Sequence, residues 1–171
     1  MTAGDDRITP PEHLNARHDF AAFDSGEPVL DDWLRKRALA NEDSGASRTY
    51  VVTARGRVVG FYALAMGSVA AHHATGKIRR NMPDPIPVMI IGRLAVDKAF
   101  QKRGLGVALL RDSVLRTQQA AGIAGIRAIL LHAISEDAKR FYERYGFTES
   151  PMHSMTLMIS MADVNRIVSG K

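Results

Sequence analysis

A short basic turn, residues 101–106 with the sequence QKRGLG, combines residue types that suit phosphate binding. From Gly106 onward the apolar residues recur with helical spacing, so the turn opens a predicted helix. A helix N-terminus offers unpaired backbone N–H groups and the positive end of the helix dipole. Gly104 and Gly106 lack a Cβ and let an anion approach, while Lys102 and Arg103 add positive charge. The turn therefore predicts a phosphate site, and an ordinary strand-to-helix connection is the alternative.

This turn differs from two common phosphate-binding motifs. It lacks the Gly-Lys-Ser/Thr ending of a Walker A loop. It also lacks the third glycine of a dinucleotide fingerprint, because Leu109 occupies that position. Neither class of nucleotide-binding protein is indicated.

The elements on either side of the turn must hold it in place. Residues 87–97 form an apolar run rich in β-branched side chains, which predicts a strand buried on both faces. The helix after the turn places four residues on one apolar stripe: Val107, Leu110, Val114 and Leu115. The apolar run at 128–133 predicts a second buried strand, parallel to the first because a helix connects them.

The remaining pattern predicts a mixed arrangement of helices and strands around these elements. We expect an extended or partly loose stretch over 1–19, a helix over 31–40, a hairpin of strands 49–54 and 57–64, an irregular link over 67–81, a helix from Ser135 to near Gly146, a strand over 155–159, and a short last helix capped by Ser160. The length of 171 residues and this continuous pattern predict one domain spanning 1–171.

Composition limits the classes of protein to consider. The chain has no cysteine, which excludes disulfides, thiolate metal sites and cysteine nucleophiles. It has no apolar run near the ~20 residues of a membrane span and no leader pattern, so we expect an intracellular, cytoplasmic protein without membrane contact. The net charge of +5 favours an anionic partner such as nucleic acid or a cofactor phosphate.

Two features that could be cofactor sites have simpler interpretations. The adjacent His72 and His73 have no cysteine or acidic ligand nearby in sequence, so exposed loop histidines are favoured over a metal site. A set of methionines near the C-terminus is interpreted as gap-filling core: Met152, Met155, Met158 and Met161.

Two motifs in the same order resemble the GCN5-related N-acetyltransferase (GNAT) family. Residues 101–106 are similar to its Q/R-x-x-G-x-G/A turn, and residues 138–147, AKRFYERYGF, resemble its A-x-x-F-Y-x-x-x-G-F segment. The resemblance covers roughly residues 87–147. It implies an α/β (α+β) GNAT fold: a mixed, mostly antiparallel sheet splayed at the central strand, with helices on both faces.

The same resemblance implies acetyl-CoA as cosubstrate, with no metal, and assigns residues to it. The backbone N–H of Val96 would stabilise the oxyanion, and Tyr142 would protonate the departing thiolate, with Tyr145 as the competing phenol. Backbone groups of Leu94 and Val96 would pair with the pantetheine arm. The residues assigned to the cofactor are Leu94, Ala95, Val96, Gln101, Lys102, Arg103, Gly104, Leu105, Gly106, Ala138 and Phe141.

The central strand carries no carboxylate that could act as a general base. A lysine amine, with a pKa of about 10.4, needs such help, whereas an α-amine near 7.7–8.0 is substantially neutral without it. Residues 88–96 contain no Asp or Glu, which favours an α-amino substrate. Water relayed by the backbone or by His132 is the alternative base.

Within the family, the chain resembles the acetyltransferase toxins of type II toxin–antitoxin systems, which acetylate the α-amine of aminoacyl-tRNA and block translation. The resemblance rests on residues 33–36, 92–96 and 138–147. It implies a homodimer, a ribbon-helix-helix antitoxin and operator DNA bound through their complex. The candidate tRNA-binding residues are Arg35, Lys36, Lys77, Arg79, Arg80 and Arg93, for which a solvated surface is the alternative.

Two other functions remain open at this point. One is a housekeeping acetyltransferase for a small amine or a protein N-terminus. The other is a non-catalytic regulator that binds acetyl-CoA or RNA, which the presence of Tyr142 and of the glycine turn disfavours.

Overall fold

The computed structural model describes residues 7–169. In chain order its elements are β1 (Glu12–His13), α1 (Pro28–Lys36), α2 (Ala38–Ser44), β2 (Arg48–Ala54), β3 (Arg57–Val69), α3 (Gly76–Arg79), β4 (Ile86–Val96), α4 (Leu105–Ala121), β5 (Ala128–His132), α5 (Glu136–Arg144), β6 (Thr148–Glu149), β7 (Thr156–Ser160) and α6 (Asn165–Ser169). Short 3₁₀ turns cover Ala71–His73 and Lys98–Phe100.

The strands form one seven-stranded sheet in the order β1-β2-β3-β4-β5-β7-β6. The β4–β5 pair is parallel, whereas β1–β2, β2–β3, β5–β7 and β6–β7 are antiparallel. This confirms the predicted mixed, mostly antiparallel sheet and its parallel pair. The parallel register covers only Val88–Ile90 against Ala128–Leu130, and β4 then continues for six more residues to Val96.

The described residues divide into two compact units, each with its own buried core. The first contains residues 7–65 and 93–112, and the second contains 66–92 and 113–169. The buried core of the first is formed by Leu14, Phe23, Leu30, Leu34, Ala38, Val51, Val58, Phe61 and Ala95. The buried core of the second is formed by Val69, Ala74, Ile78, Ile86, Val88, Ala128, Leu130 and Met158. The prediction of a single domain over 1–171 stays a prediction.

Within the first unit, helices cover both faces of the sheet. Leu34 of α1 packs in one cluster with Phe61 of β3. The preceding residue in β3, Gly60, faces the other side, where an added Cβ would lie 3.0 Å from Leu109 Cδ1 of α4. The glycine therefore lets α4 approach the sheet closely, and this brings the start of α4 beside the end of β4.

Several predicted boundaries need correction. The helix predicted over 31–40 begins three residues earlier, at Pro28, and is two helices that meet at Arg37, whose φ is −123°. The predicted irregular link over 67–81 is partly ordered, because β3 runs to Val69 and α3 lies within it. The last helix begins at Asn165 rather than after Ser160, whose hydroxyl donates to Asp163 at 3.1 Å. Met152 and Leu115, predicted in the core and on the apolar stripe of α4, are 56% and 40% exposed and are not core residues.

The N-terminal stretch, predicted over 1–19 to be extended or partly loose, is extended and paired with β2. Strand β1 pairs with β2, and Ile8 forms an antiparallel bridge to Ala54. The amide of Leu14 donates to the carbonyl of Thr49 at 2.9 Å. Residues 8–14 are therefore bound along β2, while residues 1–6 of that prediction lie outside the described part of the chain.

Over residues 7–169, none of the helices combines the length and the apolar character that crossing a membrane requires.

Candidate active site

The end of β4 presents backbone groups on the side away from β3. The amide of Asp97 donates to the carbonyl of Val59 in β3 at 2.9 Å. Successive amides along an extended chain point to opposite sides, so those of Val96 and Leu94 point away from β3. This is the orientation that the predicted pairing with pantetheine requires. Ala95, by the same alternation, turns its polar groups toward β3, and its side chain is in the core.

The side chain of Gln101 fixes the turn to the end of β4. Its Nε2 donates to the carbonyl of Val96 at 2.8 Å and to the carbonyl of Ser25 at 2.9 Å. The segment around Ser25 is bound at a second point, because the amide of Lys98 donates to the carbonyl of Asp24 at 2.8 Å. Gln101 therefore acts here through its side chain as a brace between strand, turn and the loop before α1.

The turn itself adopts a conformation that directs backbone toward the start of α4. Lys102 and Gly104 have φ of +65° and +81°, and left-handed backbone of this kind is costly for a lysine and easy for a glycine. The first intrahelical bond runs from the amide of Ala108 to the carbonyl of Gly104 at 3.1 Å. The amides of Leu105 and Gly106 precede it and have no acceptor within the helix. Backbone and charge therefore fit the predicted pyrophosphate site.

Arg103 directs its side chain away from the backbone of the turn. Its guanidinium carbon lies 5.0 Å from the centroid of the Phe100 ring, a cation–π distance. Lys102 and Gly104 are exposed, and Leu105 is buried beneath the turn.

In the second unit, the ring of Tyr142 is buried on α5. The residue is 8% exposed and packs edge-on against Phe147, with ring centroids 5.6 Å apart. Its hydroxyl makes no hydrogen bond with the other residues of the range 7–169. Burial raises the pKa of Tyr142 above its ordinary value of 10, because the phenolate loses solvation. The hydroxyl therefore stays protonated at neutral pH, as an acid catalyst must.

The other residues predicted on this helix share a face with Tyr142. Ala138, Phe141 and Tyr145 follow at helical spacing, and the Phe141 and Tyr145 rings lie 5.3 Å apart. The helix begins as predicted, because the hydroxyl of Ser135 accepts from the amide of Ala138 at 3.1 Å. Tyr145 is half-buried, so Tyr142 is the more enclosed of the two phenols.

Two carboxylates, one directly after β4 and one in α1, already accept hydrogen bonds from the protein. Asp97 accepts from the amides of Asp24 and Ala99 at 3.1 and 3.0 Å. Asp31 is buried and accepts from the hydroxyl of Ser25 at 2.7 Å. In the second unit, Nδ1 of His132, the alternative base, is 2.8 Å from the hydroxyl oxygen of Thr156. The carboxylates of Asp97 and Asp31 therefore have structural roles, which agrees with a reaction that needs no carboxylate base.

Three of the candidate tRNA-binding residues lie in the first unit and differ in how they are held. Arg35 donates to the carbonyl of Phe23 at 2.7 Å and to Asp32 at 3.1 Å. The Lys36 side chain is 72% exposed, with its ammonium 4.0 Å from Asp32. Arg93 is half-buried, and its guanidinium carbon lies 4.7 Å from the centroid of the Trp33 ring.

The other three candidates lie on and after α3 in the second unit. Lys77 forms an ion pair with Asp163 at 2.7 Å, whereas Arg79 and Arg80 are exposed. The carbonyls of this segment accept from Arg127, whose Nε is 2.9 Å from the Ile78 oxygen and whose Nη2 is 3.0 Å from the Lys77 oxygen. Arg127 therefore orients the basic segment.

Sequence reasoning missed the parts played by Arg127, by Trp33 as a stacking partner and by Ser25. The role of Arg127 could have been suspected from the sequence. It is a basic residue directly before a buried strand, where a charged side chain usually has a hydrogen-bond partner. The role of the Ser25 carbonyl could not have been predicted, because every residue type has a backbone carbonyl that can accept a hydrogen bond.

The histidines near α3 form a cluster that the sequence analysis did not anticipate. His73 lies between His72 and His153, with ring centroids 4.2 and 5.1 Å away. Desolvation, and then the neighbouring rings, lower the pKa of His73. Among residues 7–169, no group of three His, Cys, Asp or Glu side chains has the arrangement of a metal site.

Known proteins are similar to this chain in both sequence and fold. A family model for the acetyltransferase (GNAT) domain matches residues 45–149. The tRNA-acetylating toxin of Mycobacterium tuberculosis is 52% identical over 158 residues, which span 92% of this chain and 95% of the toxin.

Solved structures of similar proteins agree in fold. A tyrosine-to-phenylalanine mutant of KacT has a TM-score of 0.87 at 24% identity and covers 94% of this chain and 98% of its own. AtaTR bound with AcCoA has a TM-score of 0.81 at 25% identity, with 95% and 98% covered. Both the family model and the mycobacterial relative span most of the chain, and the chain belongs to the GNAT family of acetyltransferases.

Proposed function

We propose that this protein is a toxin that moves the acetyl group of acetyl-CoA to the α-amine of aminoacyl-tRNA and thereby blocks translation. The observation that carries the proposal is the 52% identity to the tRNA-acetylating toxin over nearly the whole of both chains. The described residues add a turn suited to phosphate, a protonated buried phenol and two basic regions.

We assign the binding of acetyl-CoA to two sets of backbone groups. The backbone groups of Leu94 and Val96 point away from β3. Those of Leu94 and the carbonyl of Val96 would pair with the pantetheine arm, which leaves the N–H of Val96 for the acetyl group. The amides at the start of α4, with Lys102 beside them, would hold the pyrophosphate. When bound, acetyl-CoA supplies an activated acetyl thioester.

The chain's own groups would then act on two atoms of the reaction. The N–H of Val96 donates to the carbonyl oxygen as it gains negative charge, which favours attack by the amine. A C–N bond forms between the α-amine and the acetyl carbon, and the C–S bond breaks. Tyr142 gives its proton to the departing sulfur, and the new amide loses one proton to solvent. Both protons are accounted for once Tyr142 is reprotonated from water.

The lack of an assigned carboxylate base fits this choice of amine. The pKa of an α-amine is near 7.7–8.0, about 2.5 units below that of a lysine, and a sizeable fraction is neutral at pH 7–8. Asp97 and Asp31 are engaged in structural hydrogen bonds and are not proposed as bases.

We propose that basic residues bind the tRNA through its phosphates. Lys36, Arg79 and Arg80 are exposed and would contact the backbone of the tRNA directly. Arg93 is half-buried and lies over the Trp33 ring, so it suits the acceptor end better than the helical stem. Such binding weakens as salt rises, because each phosphate contact releases counterions.

The partners follow from the same proposal. We propose a homodimer that is neutralised by a ribbon-helix-helix antitoxin, with operator DNA bound through the complex. The reaction would take place in the cytoplasm, where charged tRNA and acetyl-CoA meet.

The test is transfer of label from acetyl-CoA to a mixed pool of charged tRNA. We expect label on the aminoacyl group with the unaltered protein and at least a hundred-fold slower transfer with Tyr142→Phe, since acid catalysis contributes about 10²–10⁴-fold. The matched control is Tyr145→Phe, which removes the neighbouring hydroxyl on the same helix and should keep most activity.

Two results would contradict the proposal in different ways. Full activity of Tyr142→Phe would overturn the role of this phenol and leave the reaction in place. Label on small amines or protein N-termini, but not on charged tRNA, would overturn the substrate and favour a housekeeping acetyltransferase.

A further inference from the structure

Lys139, on the helix α5 that carries Tyr142, is a buried cation. Over residues 7–169, it is the only lysine or arginine that is buried. A lysine is rarely buried unless its charge is paired, because taking an ammonium group out of water is costly. Its Nζ donates to Oε1 of Glu149 in β6. Lys139 stands at a variable position of the 138–147 segment, so the resemblance assigns it no role.

Stability alone does not explain this ion pair. A buried pair contributes little to the free energy of unfolding, because the cost of desolvating the charges offsets their attraction. Replacing such a pair by apolar groups of similar size is often neutral or stabilising. The hydrogen bond to Glu149 raises the pKa of Lys139, so the ammonium stays charged. A charged hydrogen bond adds direction, because the donor must meet one particular oxygen, whereas apolar contacts tolerate sliding and rotation.

The pair and Tyr142 both attach α5 to the chain segment that follows it. Tyr142 packs edge-on against Phe147, and Lys139, three residues earlier on the same face of the helix, reaches Glu149. Both helix residues are 8% exposed. Glu149 pairs with Leu157 of β7 and therefore belongs to the sheet. A helix that is held at two successive points on one face is restrained from turning about its axis.

We propose that the Lys139–Glu149 ion pair positions Tyr142, because it fixes the rotation of α5 and thereby the direction of the phenol hydroxyl. The inference rests on the proposed function, in which this hydroxyl protonates the departing sulfur. Proton transfer needs donor and acceptor within hydrogen-bond reach, so a small shift of the hydroxyl slows the chemical step and leaves substrate binding unchanged. Lys139 and Glu149 act through Tyr142 and are positioning residues, not catalytic ones.

The test separates the position of α5 from the stability of the fold. Lys139→Met removes the ammonium and keeps an unbranched side chain of nearly the same length, so the melting temperature should not fall. Glu149 is 47% exposed and stays hydrated when its partner is gone. Lys139→Arg keeps the cation and its donors. The matched control is Arg140→Met, the next residue on α5, whose exposed ion pair with Asp137 lies within the helix.

Steady-state kinetics of acetyl transfer to charged tRNA give kcat and the KM of each substrate. For Lys139→Met we expect kcat to fall about ten-fold, a part of the 10²–10⁴-fold that acid catalysis contributes, with both KM values unchanged. Lys139→Arg should keep most of kcat, and Arg140→Met should keep all of it. Hydrogen exchange of the α5 amides should be faster in Lys139→Met than in Arg140→Met.

Two kinetic results would overturn the inference. One is an equal kcat for Lys139→Met and Arg140→Met. The other is a loss of activity in Lys139→Met that accompanies a lower melting temperature, because the pair would then be only a stabilising contact.

Failure of the proposed function would look different. The unaltered protein would then transfer no acetyl group to charged tRNA, and hydrogen exchange would decide the inference by itself. Faster exchange of the α5 amides in Lys139→Met would support a pair that fixes the helix. Exchange equal to that of Arg140→Met would overturn it.

Discussion

The guanidinium carbon of Arg93 lies 4.7 Å from the centroid of the Trp33 ring, and Trp33 stacks in turn on Phe61 with an interplanar angle of 11°. The three side chains come from β4, α1 and β3, so they join the end of the central strand to the first helix. Partial burial lowers the pKa of Arg93, yet an arginine remains charged throughout the physiological range. The contact therefore holds a fixed positive charge in place.

We expect Arg93 and Trp33 to be energetically coupled. A double-mutant cycle with Arg93→Met and Trp33→Leu, measured by urea unfolding, should give a coupling of about 0.5–1 kcal/mol in the free energy of unfolding, as cation–π pairs do. Arg93→Lys should keep part of the charge interaction but lose the planar stacking. Strict additivity of the two single changes would show that the side chains of Arg93 and Trp33 are adjacent without interacting.

Gln101 should contribute to both stability and cofactor binding. Gln101→Leu removes the hydrogen bonds to the carbonyls of Val96 and Ser25 and should cost about 1–2 kcal/mol in the free energy of unfolding. The Kd of acetyl-CoA should rise as well, because the turn loses its attachment. Gln118→Leu is the control, since Gln118 makes one exposed bond of 3.3 Å to Asn165. Equal effects of the two changes would argue against a brace.

Arg127 should act on tRNA binding by positioning the segment that follows α3. Arg127→Met keeps the length of the side chain and removes its donors to the carbonyls of Lys77 and Ile78. We expect faster hydrogen exchange of amides 76–80, weaker binding of charged tRNA and an unchanged Kd of acetyl-CoA. Weaker tRNA binding with unaltered exchange would mean that Arg127 contacts the RNA itself.

Tyr142 should make the protein sensitive to alkali. Burial raises the pKa of its phenol in the folded state, so its contribution to stability is complete below the unfolded value near 10 and is lost as the pH rises beyond it. The free energy of unfolding of the unaltered protein should therefore fall more steeply between roughly pH 9.5 and 11.5 than that of Tyr142→Phe, by up to about 1.4 kcal/mol per pH unit. Parallel pH profiles for the two proteins would contradict this.

The sequence predicted best where one element is defined by its own residues. Residues 87–97 and 101–106 predicted β4, the turn and the start of α4 within one or two positions, because β-branched residues, glycines and helical spacing all agree there. The break at Arg37 could not be predicted in this way. No Gly or Pro marks it, and Leu34 and Ala38, which flank it and are buried in one core cluster, are spaced as they would be in a continuous helix.

The sequence did not predict which protein groups the side chains of the candidate site contact. Charge alone grouped Lys77 with Arg79, yet Lys77 is paired with Asp163, which lies 86 residues away in sequence. The assignment of Gln101 to the cofactor stays a prediction, and nothing in the sequence indicated that its side chain donates to two carbonyls of the protein. Such pairings depend on which distant acceptors the fold brings near, and single-sequence patterns carry no information about that.

The second half of β4 also bears on how long the protein survives in a cell. Beyond Ile90 its register with β5 ends, and the amides of Leu94 and Val96 point away from β3. Such an open strand edge invites pairing with another chain. A pantetheine arm that pairs there takes the place of the missing strand, and ligand bound only to the native state stabilises it by mass action. The supply of acetyl-CoA would then set both the rate of the reaction and the amount of folded protein that persists to carry it out.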